Sequence, residues 1–178
     1  MAESNGSFSR KRFLKLTPAV AGGFGLMASV AGSASAHDVR RDEQQEKKLP
    51  LEADKVREFV RVGHFDFEAV KAQLEETPSL LNASWDWGNG DFETAIEGAG
   101  HMGRRDIAEF LLDRGARTNI FVSAMLGKSD IVKSTIEAFP QLVFSKGAHG
   151  ISLLAHAEKG EHAELVAWLK QKEKELKS

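Results

Sequence analysis

Three times along this chain a glycine is followed three residues later by an aspartate and then by an apolar side chain. The copies are Gly63-His64-Phe65-Asp66-Phe67, Gly103-Arg104-Arg105-Asp106-Ile107 and Gly127-Lys128-Ser129-Asp130-Ile131. A looser fourth copy, Gly160-Glu161-His162-Ala163-Glu164-Leu165, is one residue longer and has no aspartate. Glycine makes a tight turn, an aspartate at the N-cap accepts the orphan N–H groups of a new helix, and the apolar residue begins its buried face. Thr94–Ala116 shows the whole unit. A first helix, roughly Thr94 to His101, is built from small residues (Ala95, Gly98, Ala99, Gly100) that let another backbone approach closely. Gly103 turns the chain and Asp106 is expected at the N-cap. Ile107, Ala108, Phe110, Leu111 and Leu112 then recur at helical spacing, and Gly115 closes the helix as its C′ residue. A helix pair of this kind cannot bury its apolar face alone, so it needs copies stacked beside it.

Residue by residue, TAIEGAGHMGRRDIAEFLLDRGA resembles the ankyrin repeat. Thr94, Ile96, Ala99, Gly100, Gly103, Leu111, Leu112, Gly115 and Ala116 stand at the positions of its T-P-L-H-x-A-A-x-x-G-H…L-L…G-A pattern. Ala95 replaces the proline and Glu97 the histidine, which is expected to weaken the Thr–His capping of the first helix. The motif glycines lie 40, 24 and 33 residues apart, against a repeat length of roughly 33. The short interval leaves no room for a hairpin finger between Gly115 and Ile120. The long one lengthens Thr77–Asn82, where Pro78 bars helix continuation, and enlarges a finger over Ala83–Glu93. A second proline exit stands at Pro140. The resemblance implies an all-α, ankyrin-like helical-hairpin solenoid of about four irregular repeats across residues 53–170. Phe67, Ile107, Ile131 and Leu165 would share its dry interior, and Trp168 would pack inward. Residues 171–178 form a polar helical tail.

Residues 1–36 differ in kind. Arg10, Lys11, Arg12 and Lys15 precede an uncharged Ala/Gly-rich run, and Ala34-Ser35-Ala36 forms an A-x-A cleavage signature. This is the pattern of a signal peptide cut before His37. Ser9–Lys15, SRKRFLK, resembles the twin-arginine export motif S-R-R-x-F-L-K with Lys11 in place of the second arginine. The expected location is periplasmic or otherwise exported, with no stable membrane insertion after cleavage. Residues 37–52 carry charge without apolar period and read as a solvated linker. Removing 1–36 takes four basic residues and Glu3, leaving 20 Lys and Arg against 25 Asp and Glu, a net −5. That charge argues against nucleic acid as a partner, because no basic stripe remains to neutralise phosphates. With no cysteine in the chain, neither a disulfide framework nor a thiolate metal site can form.

The segment Trp85-Asp86-Trp87-Gly88-Asn89-Gly90-Asp91-Phe92-Glu93 is the least ankyrin-like and the richest in unusual residues. Trp85 and Trp87 alternate around Asp86 and would share one face of an extended strand. They serve as a recognition hot spot rimmed by carboxylates, as a face that stacks on a sugar or an aromatic ligand, or as packing that folds back over the enlarged loop. The first alternative makes Trp85, Asp86, Trp87, Asn89, Asp91 and Glu93 the partner-binding residues of a non-enzymatic, monomeric scaffold for an unidentified protein, with no cofactor. An alternative from another class is a small periplasmic enzyme or ligand binder, in which Asp86, Asp91, His101 and His149 would converge over a concave pocket. Of the histidines, His64 fits a turn residue that hydrogen-bonds within its helix pair. His101, His149, His156 and His162 show no H-x-x-x-H or other close ligand spacing, so no metal site is expected. A site assembled from several repeats lies beyond the reach of spacing rules. No nucleophile elbow or phosphate loop is present.

Overall fold

A computed structural model describes residues 49–178. The expected signal peptide (1–36) and most of the expected linker lie outside the described residues. Eight α-helices follow in order among those described: α1 (Ala53–Val62), α2 (Phe67–Glu76), α3 (Ala95–Met102), α4 (Arg105–Asp113), α5 (Ile120–Met125), α6 (Ser129–Ala138), α7 (Leu153–Lys159) and α8 (Ala163–Lys177). The chain is therefore mostly helical. No helix of the described residues is long and apolar enough to cross a membrane. One antiparallel hairpin, β1 (Ser84–Asp86) and β2 (Phe92–Thr94), pairs Ser84 with Thr94, Trp85 with Glu93 and Asp86 with Phe92. It fills the place foreseen for the enlarged finger, and the chain between α4 and α5 carries no strand.

Consecutive helices form antiparallel pairs, and the pairs stack through their first members, α1 on α3, α3 on α5 and α5 on α7. The small residues of α3 permit this approach, with Ala95, Gly98, Ala99 and Gly100 all buried. Two apolar clusters result. Phe59, Val60, Ile96, Ile107 and Leu111 centre the first, and Val132, Ile136, Leu153, Leu165 and Leu169 the second. Short α5 is their common wall, giving Val122 and Met125 to one and Ala124 to the other. Phe67 is half-buried and meets Phe110 edge-on at 5.1 Å between centroids. Trp168 is half-buried against the second cluster, and α8 carries residues 171–177 on as helix.

Three local expectations are corrected. Ile131 is 55% exposed, because α6 packs mainly on α5 and on its own 3-10 exit, Pro140–Phe144. Val132, fully buried, takes the inward position instead. Asp106 is not an N-cap. Gly103 is left-handed (φ 75°) and restarts the chain so early that α4 opens at Arg105, leaving Asp106 inside the first turn and paired with Arg104 at 2.6 Å. It still faces the positive end of the helix dipole. Gly63 remains right-handed, α2 begins later, and there Asp66 does cap, accepting the Ala69 N–H at 2.9 Å.

Nor is α3 poorly capped. Glu97 Oε2 accepts from the Thr94 backbone N–H at 2.8 Å and from its hydroxyl at 2.7 Å, a capping box. Its other oxygen accepts from Asn119 Nδ2 at 2.6 Å, and Asn119 itself caps α5 through the Phe121 and Val122 N–H groups. Glu97 thus ties two neighbouring hairpins together.

Candidate metal centre

Four side chains far apart in sequence meet where the finger joins the helices. Glu93 comes from β2, directly across from Trp85, and its side chain has no solvent exposure. His64 comes from the α1–α2 turn, His101 from the last turn of α3, and His149 from a short 3-10 segment before α7. One donor atom from each lies within 4.8 Å of every other. Three close approaches define the group. His101 Nε2 is 2.8 Å from Glu93 Oε1, His64 Nε2 is 3.3 Å from Glu93 Oε2, and His149 Nε2 is 3.3 Å from that same oxygen. The His64 and His101 Nε2 atoms are 3.2 Å apart.

Each member is held by its own local structure. His64 lies against α3 where Gly98 leaves room, since a Cβ there would come within 2.8 Å of the ring. Its Nδ1 donates to the Val60 carbonyl at 3.0 Å and shares the Arg61 carbonyl at 3.2 Å. His149 takes a left-handed conformation (φ 56°), and Asp91 grips it twice, accepting its backbone N–H at 2.9 Å and its Nδ1–H at 2.8 Å. The Trp87 indole N–H donates to Glu93 Oε2 at 2.7 Å.

These bonds fix the protons. A carbonyl can only accept, so His64 Nδ1 carries hydrogen and a neutral His64 presents a bare Nε2. The Asp91 carboxylate sets His149 in the same way. With both rings neutral, two imidazole lone pairs would converge on one carboxylate oxygen, an arrangement that repels itself unless positive charge lies between them. A proton partly serves. Burial pushes the His64 pKa down, but the hydrogen bond and charge of Glu93, with the Val60 and Arg61 carbonyls, bring it above the ordinary value. Burial likewise pushes Glu93 up, and the hydrogen bonds from His101, His64 and Trp87 outweigh it and bring its carboxyl down to about 2. A metal ion would serve as well. With bonds of about 2.0–2.1 Å to nitrogen, the edges of a ligand tetrahedron are about 3.3–3.4 Å; three of the separations here are 3.2–3.3 Å, His101 lies 2.8 Å from the other Glu93 oxygen, and all four donors fall within 4.8 Å of one another. Imidazole and carboxylate together suit zinc and its first-row neighbours. Nδ1 partners on a carbonyl and a carboxylate are the outer shell that metal-ligating histidines use.

Comparison with protein-family models, curated proteins and solved structures gave no significant match.

Of the residues singled out in the sequence, His101 and His149 converge on Glu93 and Asp91 holds His149 from behind, while Asp86 stays apart. Asp86 Oδ1 accepts the Gly88 and Gly90 N–H groups at 2.8 and 3.2 Å and so builds the finger tip, where Asn89 is left-handed (φ 57°). Trp85 is half-buried on the first apolar cluster, which gives it the packing role. Trp87 is 38% exposed, combining a free ring face with a bonded indole nitrogen. Glu93 is enclosed and cannot meet a partner protein, which corrects its assignment to a recognition rim. His64 makes the turn hydrogen bond foreseen for it and also turns its second nitrogen into the cluster. His156 stays outside. Burial lowers its pKa, offset in part by the Ser152 carbonyl that accepts from Nδ1 at 2.8 Å. His162 Nε2 donates to the Met125 carbonyl at 2.9 Å, bridging two turns.

Proposed function

We propose that this protein is an ankyrin-like solenoid that binds one divalent transition ion of the zinc class through His64, Glu93, His101 and His149. The observation that carries the reading is the convergence of His64 Nε2 and His149 Nε2, each at 3.3 Å, on a single buried carboxylate oxygen. Asp91 and the Val60 carbonyl orient two of the rings, and the Trp87 N–H steadies the carboxylate. The stacked hairpins favour an ankyrin-like lineage, although spacing and finger pattern depart from it. Residues 1–36 are read as an export signal, so the ion would be met outside the cytoplasm. Recovery of a periplasmic chain beginning at His37 would support this.

Calorimetric titration of chelator-stripped protein with Zn2+, and with Co2+ followed by visible absorption, tests the site. One saturable ion per chain is expected, with strong loss of affinity in a His64→Ala/His149→Ala variant. Equal binding by wild type and this variant would refute the assignment.

A second reading, as a scaffold for another protein, draws on the exposed aromatics near the finger, Phe92 (62% exposed), Phe65 and Trp87. Its contact residues would be Trp87, Asn89, Asp91 and Phe92. Capture of a periplasmic protein by wild type and not by Phe92→Ala would support it.

A further inference from the structure

Resting on the metal-site reading, we propose that the bound ion keeps one coordination position open to solvent, and that this position takes a small anion. The donors are buried unevenly. The side chain of Glu93 is sealed, those of His101 and His64 are 7% and 16% exposed, and that of His149 is 34% exposed. An ion held by all four therefore has protein beneath it and water on the His149 and Trp87 side.

Several of the polar groups near that side are already engaged. Both Asp91 oxygens are used on His149, and Asp86 Oδ1 is taken up by the finger-tip N–H groups. The Trp87 N–H is spent on Glu93, and Glu97 is engaged with Thr94 and Asn119. Four protein ligands fill a tetrahedron, so the open position is a fifth one, of the kind to which zinc-class ions expand when water or substrate adds. The charge points the same way. A divalent ion with one ligating carboxylate and three neutral imidazoles carries a net positive charge, and Asp91 lies across the His149 ring from it.

The Trp87 and His149 rings flank that side, with centroids 6.1 Å apart and tilted by 49°. Crowding by two rings favours a small linear anion such as hydroxide, azide or thiocyanate over a branched or aromatic one.

The test uses Co2+-loaded protein in chloride-free buffer, with azide, thiocyanate and benzoate added in turn while the visible bands are recorded. Azide and thiocyanate should shift the bands saturably, benzoate should not, and Trp87→Ala should gain a response to benzoate. Saturable Co2+ binding with bands that azide in large excess leaves unmoved overturns the open position and keeps the metal site. Failure to bind Co2+ at all overturns both.

Discussion

Replacing Glu93 by glutamine isolates what the buried carboxylate does without a metal. Glutamine keeps the shape and one acceptor but removes the charge that His64, His101 and Trp87 surround. A carboxyl that titrates at 4.5 when unperturbed and at about 2 in the fold stabilises the native state by about 3 kcal/mol near neutral pH. Because the amide still accepts one N–H, Glu93→Gln should cost about 2–3 kcal/mol, or about 7–10 °C in Tm for a domain of this size. The sign follows from linkage. A depressed carboxyl contributes its stability fully above its unfolded value of 4.5, and loses it as pH falls through about 2. His64, whose pKa is raised above 6.5, adds to the attraction below that value and withdraws it as pH climbs through the folded value. The gap between wild type and variant should therefore be widest between 4.5 and 6.5, narrower at alkaline pH, and closed in strong acid. Urea unfolding of both chains, with chelator present, measures it across the pH range. Equal stability at neutral pH, or a gap that survives in strong acid, would refute the electrostatic account.

Other perturbations separate the site from its scaffold. Asp91→Asn leaves His149 without its carboxylate partner and should weaken Zn2+ binding by roughly 10–100-fold, read by competition with a chelating dye. Gly98→Ala places a methyl 2.8 Å from the His64 ring. It should lower metal affinity in wild type and have little further effect in a His64→Ala background, a coupling that a double-mutant cycle measures. Asp66→Ala removes the α2 cap two residues beyond His64 and should cost about 1 kcal/mol in urea unfolding, with far less effect on metal affinity than Asp91→Asn.

The helices were legible because short-range patterns encode them. Apolar spacing marks α4 from Ile107 to Leu112, and Pro78 and Pro140 mark where α2 and α6 give way to 3-10 turns. What failed was one step less local. Whether an aspartate caps a helix depends on the handedness of the glycine before it, and Gly63 and Gly103 differ there although their motifs look alike. Ile107 and Ile131 hold the same place in their motifs, but only Ile107 has a neighbouring helix to cover it. A residue's own window carries no signal for either difference.

The candidate site was hidden for a related reason, and its origin can be tested. His64, Glu93, His101 and His149 obey no ligand spacing because the stack of hairpins, not a single helix, brings them together. The short connection between α4 and α5 leaves room for the ends to meet. With only a short loop between α4 and α5, the segment before α7 reaches past α5, and His149 bonds Asp91 across 58 residues of chain. The contact of α3 with α7 fits the same shortcut. The 24-residue spacing from Gly103 to Gly127, nine short of the 33 from Gly127 to Gly160, is then the sequence signal that two non-adjacent loops can touch. Inserting a hairpin of about nine residues, the difference between these spacings, between Gly115 and Asn119 should wedge His149 from Asp91. Helical circular dichroism should persist, because surface loops tolerate insertions, while the Co2+ absorption bands of the four-ligand site disappear. An insertion variant that binds Co2+ as tightly as wild type would mean that the shortened repeat has nothing to do with the site.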